Sequence, residues 1–267
     1  MITIWSKGSL TYDVPKVMGI VNITPDSFSD TVRYTGKDAV RRIFELEDEG
    51  ADIIDVGGES TRPGAVPVSA EEEMSRIIGV IEEASPSLGV PISADTMHPE
   101  TALAALNAGA SIINDVSGLR DRRMITVAAS AGVPVVITHM YGTPGTMHRD
   151  TMSGNVAEQI SSFFDGICEK AETAGIKKNN IVLDPGIGFG KTFRQNAEII
   201  DGLRTFRKGY PLLTGTSMKS FLGYAYPDVP IEDASIRSAV LCVRNGADIV
   251  RVHNVKGTKD ALKDERF

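Results

Sequence analysis

Short runs rich in Val, Ile and Leu alternate with longer stretches of helical period along almost the whole chain. The short runs are Val17–Val21, Ile53–Val56, Val90–Ala94, Ser111–Ile113, Val133–Thr138, Ile181–Leu183, Leu212–Thr214 and Ile249–Val252. Their length and β-branching predict buried strands. Between them, apolar residues recur at helical spacing in Lys37–Glu49, Ala70–Glu83, Pro99–Ala108, Asp121–Ala131, Asn155–Ala174, Asn196–Phe206 and Ile231–Arg244. That spacing predicts amphipathic helices with one face turned to a core. Several of these stretches stop at glycine (Gly50, Gly109, Gly132, Gly175 and Gly246), the residue that takes a left-handed helix cap without steric cost. One helix-to-strand turn is used three times, as Gly50-Ala51-Asp52-Ile53-Ile54, Gly109-Ala110-Ser111-Ile112-Ile113 and Gly246-Ala247-Asp248-Ile249-Val250. Ahead of the first strand, weak alternation around Lys7-Gly8 predicts a small β-hairpin.

Eight strands separated by helices, with no linker-like or low-complexity break, predict an α/β fold: a single (β/α)8 TIM barrel with a short N-terminal β-hairpin, residues 1–267 forming one domain. Such a barrel commonly takes about 250 residues. A doubly wound open sheet shares the alternation, but it gathers its ligands near one switch point. Here polar residues follow nearly every strand: Asn22, Asp55 to Arg62, Asp95, Asn114-Asp115, His139, Asp184, Ser217 to Lys219, and Arg251 with His253. A barrel places its active site at those strand ends. The barrel is the better reading.

Composition narrows the function. Hydrophobic residues at 42% and charged residues at 24% are ordinary for a globular protein. A net charge of -7 leaves no basic excess to meet phosphates over a broad surface, so neither nucleic acid nor an anionic membrane is an expected partner. Cys168 and Cys242 both fall in helical stretches and form neither a metal-type spacing nor a disulfide framework. With no leader-like start and no apolar run of spanning length, a cytoplasmic protein is expected.

Two loops stand out for chemistry. Asn22–Asp30 follows the first strand and Gly57–Gly64 the second, and both exceed a minimal connection, which suggests lids over the barrel mouth. Turn chemistry would also account for their Pro, Gly, Ser and Asp, but Arg62 and two hydroxyls on the second loop suit an anionic ligand. Asp95, Asn114 and Asp184 each lie beyond a separate strand, so a barrel converges them on its axis, where they can pair with the edge of a heterocycle. Singly, each is as well explained as a helix cap; Asp95-Thr96 precedes a helix with Pro99 near its start, and Asp115 could serve likewise. Three together favour a ligand. Asp184–Lys191 is neither the dinucleotide fingerprint nor a complete P-loop. Its glycines allow close backbone approach to a ligand, and Phe189 can cover an aromatic ring. Thr216–Ser220 opens a short helix whose N–H donors, with Lys219, suit a carboxylate or phosphate. Arg251 and His253 point the same way in a period-two strand and can reach one anion.

In this order, Asn22–Asp30, Gly57–Gly64, Asp184–Lys191, Ser217–Gly223 and Arg251–His253 resemble the dihydropteroate synthase family, from Val17 to about Val255. Each motif is moderately specific, and the ordered set is highly so. The resemblance implies a transferase of folate biosynthesis. It would condense 6-hydroxymethyl-7,8-dihydropterin pyrophosphate with p-aminobenzoate, release pyrophosphate and be a sulfonamide target. It implies that Asp95, Asn114, Asp184 and Lys219 hold the pterin, and that Thr61, Pro63, Phe189 and Ser220 shape the p-aminobenzoate site. Asn22, Arg251 and His253 would bind the pyrophosphate, with Asn22 at a Mg2+ site. Phe28, Asp30 and Arg62 would act from the two loops and join Lys219 as the catalytic set. A homodimer is implied by the same resemblance.

The chain departs from the family pattern at four places. Met218 stands where an arginine usually precedes the motif lysine, Asn254 where an aspartate usually follows the histidine, and Thr31-Val32 where two glycines are common. The segment after Val255 is short and charged. Two other functions share parts of this pattern: a pterin-dependent methyltransferase domain and a non-catalytic homologue. The two long loops and the Arg251/His253 pair speak against the first, since methyl transfer releases no pyrophosphate. Met218 is the feature that favours the second.

Overall fold

A strand that is apolar on both faces needs cover on both, and this chain provides it by closing its sheet and wrapping helices around the outside. The computed structural model describes residues 2–5, 8–24, 36–62, 64–147, 149, 151–263 and 265. A hairpin comes first, with β1 (Ile2–Trp5) antiparallel to β2 (Gly8–Thr11). Next come β3 (Lys16–Asn22), α1 (Gly36–Asp48), β4 (Ile53–Gly57), α2 (Ala70–Ala84), β5 (Ile92–Asp95) and α3 (Pro99–Ala108). The alternation continues through β6 (Ile112–Asp115), α4 (Arg122–Ala131), β7 (Val135–Thr138), α5 (Val156–Thr173), β8 (Ile181–Asp184) and α6 (Phe193–Asp201). It ends with β9 (Leu213–Thr214), α7 (Phe221–Ala225), α8 (Ile231–Arg244), β10 (Ile249–Val252) and α9 (Val255–Lys263). The eight strands β3 to β10 pair in parallel in the order β8-β7-β6-β5-β4-β3-β10-β9. A parallel bridge from Leu183 to Leu212 joins the two ends, giving the barrel that the alternation predicts.

Period-two alternation divides the strand residues cleanly. Outward positions such as Val17, Val21, Ile54, Val56, Ile113 and Val250 pack with the helices in one large core. Inward positions near the strand starts, among them Met18, Ile53, Ile112, Val136, Val182 and Ile249, form a second apolar cluster that Leu10 and Tyr12 join. Fully burying one such side chain contributes roughly 1.5–3 kcal/mol. Farther along the same inward faces the residues turn polar, to Asp55, Asp95, Asn114, Asp184 and Arg251. The start of the barrel is built for stability and its end for chemistry.

The repeated turn has a physical reason. Asp52 accepts the Val17 N–H and Asp248 accepts the Leu212 N–H, each at 2.8 Å, so a carboxylate just before a strand ties it to its neighbour. The five glycines expected to end helices all have positive φ, from 66° to 115°. Val90 and Val133 fall outside their predicted strands, because each precedes a proline that cannot donate to a ladder. The predicted Asn196–Phe206 helix is two pieces. One is α6, capped by Thr192 and broken at Gly202, and the other is a 3-10 turn over Leu203–Phe206. The charged C-terminal segment holds α9, whose Val255, Thr258 and Leu262 are buried at helical spacing. Among the described residues no helix is long and apolar enough to cross a membrane.

Candidate active site

The strand ends open into a cavity of about 470 Å³, a size that suits a small organic ligand. Its floor is a buried polar network. Arg251 on β10 reaches across the barrel, donating from Nε to Asp55 Oδ2 at 2.6 Å and from Nη2 to Asp95 Oδ2 at 2.5 Å. Asn114 Nδ2 donates to the same Asp55 oxygen at 3.1 Å. Asp55 is fully buried, and Asp95 and Asn114 nearly so. Among the described residues Asp55 Oδ1 and Asp95 Oδ1 are buried with no hydrogen-bond partner, a costly state that a donor from a ligand would relieve. Burial pushes the Asp95 carboxyl up to about 8, with Arg251 offsetting only part of that shift. Burial also works against the Arg251 charge, but Asp55 and Asp95 outweigh it and hold its pKa above the ordinary range.

The cap readings resolve in different directions. Asp95 faces the cavity, while Thr96 takes the local turn role, accepting the His98 N–H at 3.0 Å and donating to Glu73 at 2.6 Å. Asp115 is a turn residue, accepting the Ser117 and Leu119 N–H groups at 2.8 and 2.9 Å. Asp184 combines both roles. It lines the cavity and its Oδ1 accepts the Gly186 N–H at 2.7 Å, while burial raises its pKa.

The rim belongs to loops. The Lys219 ammonium donates to the Ile187 carbonyl and lies 4.5 Å from the centroid of the Phe189 ring, a cation–π contact. Burial lowers its pKa to about 8, although Asp184 opposes the shift. Gly188 is needed here: at φ 83° an added Cβ would sit 3.0 Å from Lys219 Cδ. Ser217 Oγ lies 2.9 Å from His253 Nδ1, which orients the imidazole toward the cavity. The helix after Lys219 is short, five residues in α7, and Ser220 at its start is exposed and makes no side-chain cap. Met218 has φ 59°, a left-handed conformation that nothing in the sequence signals. Asn254 accepts the Gly257 N–H at 2.8 Å, a helix-start role that an aspartate would fill equally.

Asn22, Thr61, Arg62, Asp95, Asn114, Asp184, Phe189, Lys219, Ser220, Arg251 and His253 therefore line one cavity. Phe28, Asp30 and Pro63 lie outside the described residues, as do Thr31 and Val32. Three contributors stand at the expected strand ends and loops without an individual role in the sequence reading. Asp55 shares the inward face of β4 with Ile53, and a carboxylate inside an apolar strand is the signal that marks it. Glu59 is buried at the cavity wall with His98 Nε2 3.2 Å away. Lys191 lines the same cavity but is buried, its Nζ turned to the Phe189 carbonyl.

The chain matches the family model described as "Pterin binding enzyme" over residues 18–253. It is 46% identical to the dihydropteroate synthase of Bacillus subtilis over 245 residues, 90% of this chain and 84% of that one. Among solved structures it resembles the Yersinia pestis dihydropteroate synthase with a sulfonamide drug complex, with TM-score 0.93, 37% identity, and 98% and 97% of the two chains covered. It also resembles the Xanthomonas albilineans dihydropteroate synthase with 4-aminobenzoic acid, with TM-score 0.88, 41% identity, and 96% and 93% covered. With the motifs in order, the barrel closed and the polar strand ends gathered in one cavity, the chain belongs to the pterin-binding enzyme family, among its dihydropteroate synthases, transferases of folate biosynthesis.

Proposed function

We propose that this cavity condenses 6-hydroxymethyl-7,8-dihydropterin pyrophosphate with p-aminobenzoate, giving 7,8-dihydropteroate and pyrophosphate. One observation carries the reading: Arg251 bridges Asp55 and Asp95 beside Asn114, with Asp184 in the same cavity. A flat heterocycle that offers donors along one edge fits those carboxyls and that amide. Its phosphate tail reaches the remaining Arg251 donor and His253. Thr61, Phe189 and Ser220 surround the arylamine ring, Pro63 is assigned to the same subsite by the family likeness, and Lys219 lies between the two substrates. Phe28, Asp30 and Arg62 act from the loops.

In the reaction the bond from the pterin methylene carbon to oxygen breaks, and its electron pair leaves on pyrophosphate. The arylamine nitrogen bonds to that carbon and gives up a proton. Arg251 and His253 stabilise the departing negative charge, while Asp184 and the ionised form of Asp95 favour the positive charge that develops on the pterin. No residue acts as a covalent nucleophile.

Mg2+ belongs to the proposal as well. Among the described residues no cluster of three or more His, Cys, Asp and Glu could hold a metal ion. Mg2+ is commonly held by one or two carboxylates together with substrate phosphates; here Asn22, at the cavity wall, would offer an amide oxygen in place of a carboxylate. When bound it would neutralise charge on the leaving group. We further place the enzyme in the cytoplasm as a homodimer, with sulfonamides competing for the arylamine site; these rest on the family likeness. Steady-state assays with Mg2+ should show pyrophosphate and dihydropteroate appearing in equal amounts, only with both substrates present. Pyrophosphate release that ignores the arylamine would overturn the reading.

A further inference from the structure

Lys191 is a buried amine in a cage of backbone, its pKa lowered by burial to about 7 although Asp184 opposes the shift. Its Nζ lies 2.9 Å from Gly186 O, 3.1 Å from Phe189 O, 3.1 Å from His139 O and 3.1 Å from His139 Nδ1. No carboxylate touches it among the described contacts. Lysines normally stay exposed or, when buried, find a counter-charge, so an amine spent on carbonyl groups calls for a reason.

The cage shows what the amine holds. Gly186 O and Phe189 O are the two ends of the glycine-rich turn, already bridged by the Phe189 N–H at 3.1 Å. The two His139 atoms belong to the residue after β7, whose N–H donates to Asp184 O at 2.9 Å. The approach is as close as backbone allows: an added Cβ at Gly186 would fall 2.0 Å from His139 O, and one at Gly190 2.4 Å from Tyr141 O. Lys191 thus staples the turn flat against the end of β7. That docking sets the position of the Phe189 ring, over which the Lys219 ammonium lies.

We propose that Lys191 is a positioning residue for the arylamine subsite, acting through Phe189 rather than touching either substrate. The inference rests on the reading above that Phe189 and Lys219 face the arylamine. His139 takes part as an acceptor: burial and the neighbouring Lys191 cation lower its pKa to about 3, so it stays neutral with Nδ1 open to the lysine.

The test is a split between constants. Lys191→Met keeps the length and apolar stem of the side chain and removes the donors. Its Michaelis constant for p-aminobenzoate should rise on the order of tenfold, a loss typical of a displaced positioning group. Its dissociation constant for the pterin pyrophosphate should change by a smaller factor, since Asp184 loses a nearby cation but the contacts among Asp55, Asp95, Asn114 and Arg251 do not include Lys191. Protein lost irreversibly lowers the rate without changing either constant, and reversible unfolding raises both constants by a common factor. A variant that is merely less stable would therefore keep both constants or shift both alike, and either result overturns the proposal. If Lys191→Met does not fold, Lys191→Gln, which keeps two N–H donors, should raise the p-aminobenzoate constant by less than tenfold but more than the pterin constant, and an unchanged p-aminobenzoate constant overturns the proposal. Phe189→Ala separates this inference from the reading beneath it. If Phe189→Ala leaves the p-aminobenzoate constant unchanged, the arylamine-site reading falls and this inference with it. If it raises that constant while the Lys191 variants do not, only the inference falls.

Discussion

The floor and the rim of the cavity are built by different means. On the floor, Asp55, Asp95, Asn114 and Arg251 project from four strands, and register alone brings them within hydrogen-bond reach across the barrel. On the rim, Phe189, Lys219 and Met218 sit on loops whose shape depends on φ of 71°, 83° and 67° at Gly186, Gly188 and Gly190, and of 59° at Met218. The floor is held by the same hydrogen-bond ladder that holds the fold, so its geometry is inherited from global stability. The rim is held by a few local contacts, above all the Lys191 cage. The rim can therefore vary, as at Met218, without disturbing the floor.

The largest effect should come from breaking the floor. Arg251→Ala leaves two buried carboxylates without their partner, a change that typically costs about 3–5 kcal/mol of stability, readable by denaturant unfolding. Where the variant is folded, calorimetry should show binding of the pterin pyrophosphate falling further than binding of a phosphate-free pterin. Because Asp95 also loses its partner, the plain pterin should weaken too. Equal losses for the two ligands would contradict the assignment of Arg251 to the phosphates.

Asp184→Asn comes next. It removes one charged acceptor with little change of shape, and pterin affinity should drop by roughly 1.5–3 kcal/mol. Unchanged affinity in folded protein would remove Asp184 from the pterin site.

The third effect is a pH dependence that belongs to the rim. Burial lowers the Lys219 ammonium to about 8, so the cation is present below that pH and lost above it. Then kcat/KM should fall by about tenfold per unit well above pH 8 if only the charged form is active. Asp95 titrates in the same range, and Lys219→Arg decides between them. A guanidinium stays charged, so the alkaline limb should move to higher pH. A limb that stays at pH 8 in this variant would assign it elsewhere.

Met218→Arg is the smallest change. Arginine is unbranched at Cβ, as methionine is, so the left-handed backbone at position 218 does not penalise it further. The added cation should lower the Michaelis constant for p-aminobenzoate a few-fold, and the gain should shrink at high salt. An unchanged constant would mean that position 218 does not serve the carboxylate.

The same contrast governs what was legible in the sequence. Alternation along the strands announces which residues face inward, so Asp95, Asn114, Asp184 and Arg251 could be read directly. Asp55 was readable by the same rule, as the partner of Ile53 on one face of β4. The rim was legible only as a list of suitable chemical groups. Nothing in Asp184–Lys191 signals that its lysine turns inward onto three carbonyls, because that depends on a contact with His139, 52 positions away. The left-handed Met218 is likewise a tertiary outcome: its N–H is satisfied by Ser235 Oγ at 2.9 Å, from α8. The C-terminal helix hid because its three buried positions are diluted by lysines and aspartate.

The division between floor and rim is tested most directly by measuring two constants in two variants. The constants are the pterin pyrophosphate dissociation constant and the Michaelis constant for p-aminobenzoate, each determined for Asp184→Asn and for Phe189→Ala. The account predicts a crossed result: Asp184→Asn weakens the pterin and leaves the arylamine constant within about twofold, and Phe189→Ala does the reverse, since the Asp184 carboxyl and the Phe189 ring face different substrates although both ride on the turn through Gly186. If both variants move both constants by similar factors, the cavity works as one undivided site and the account is wrong.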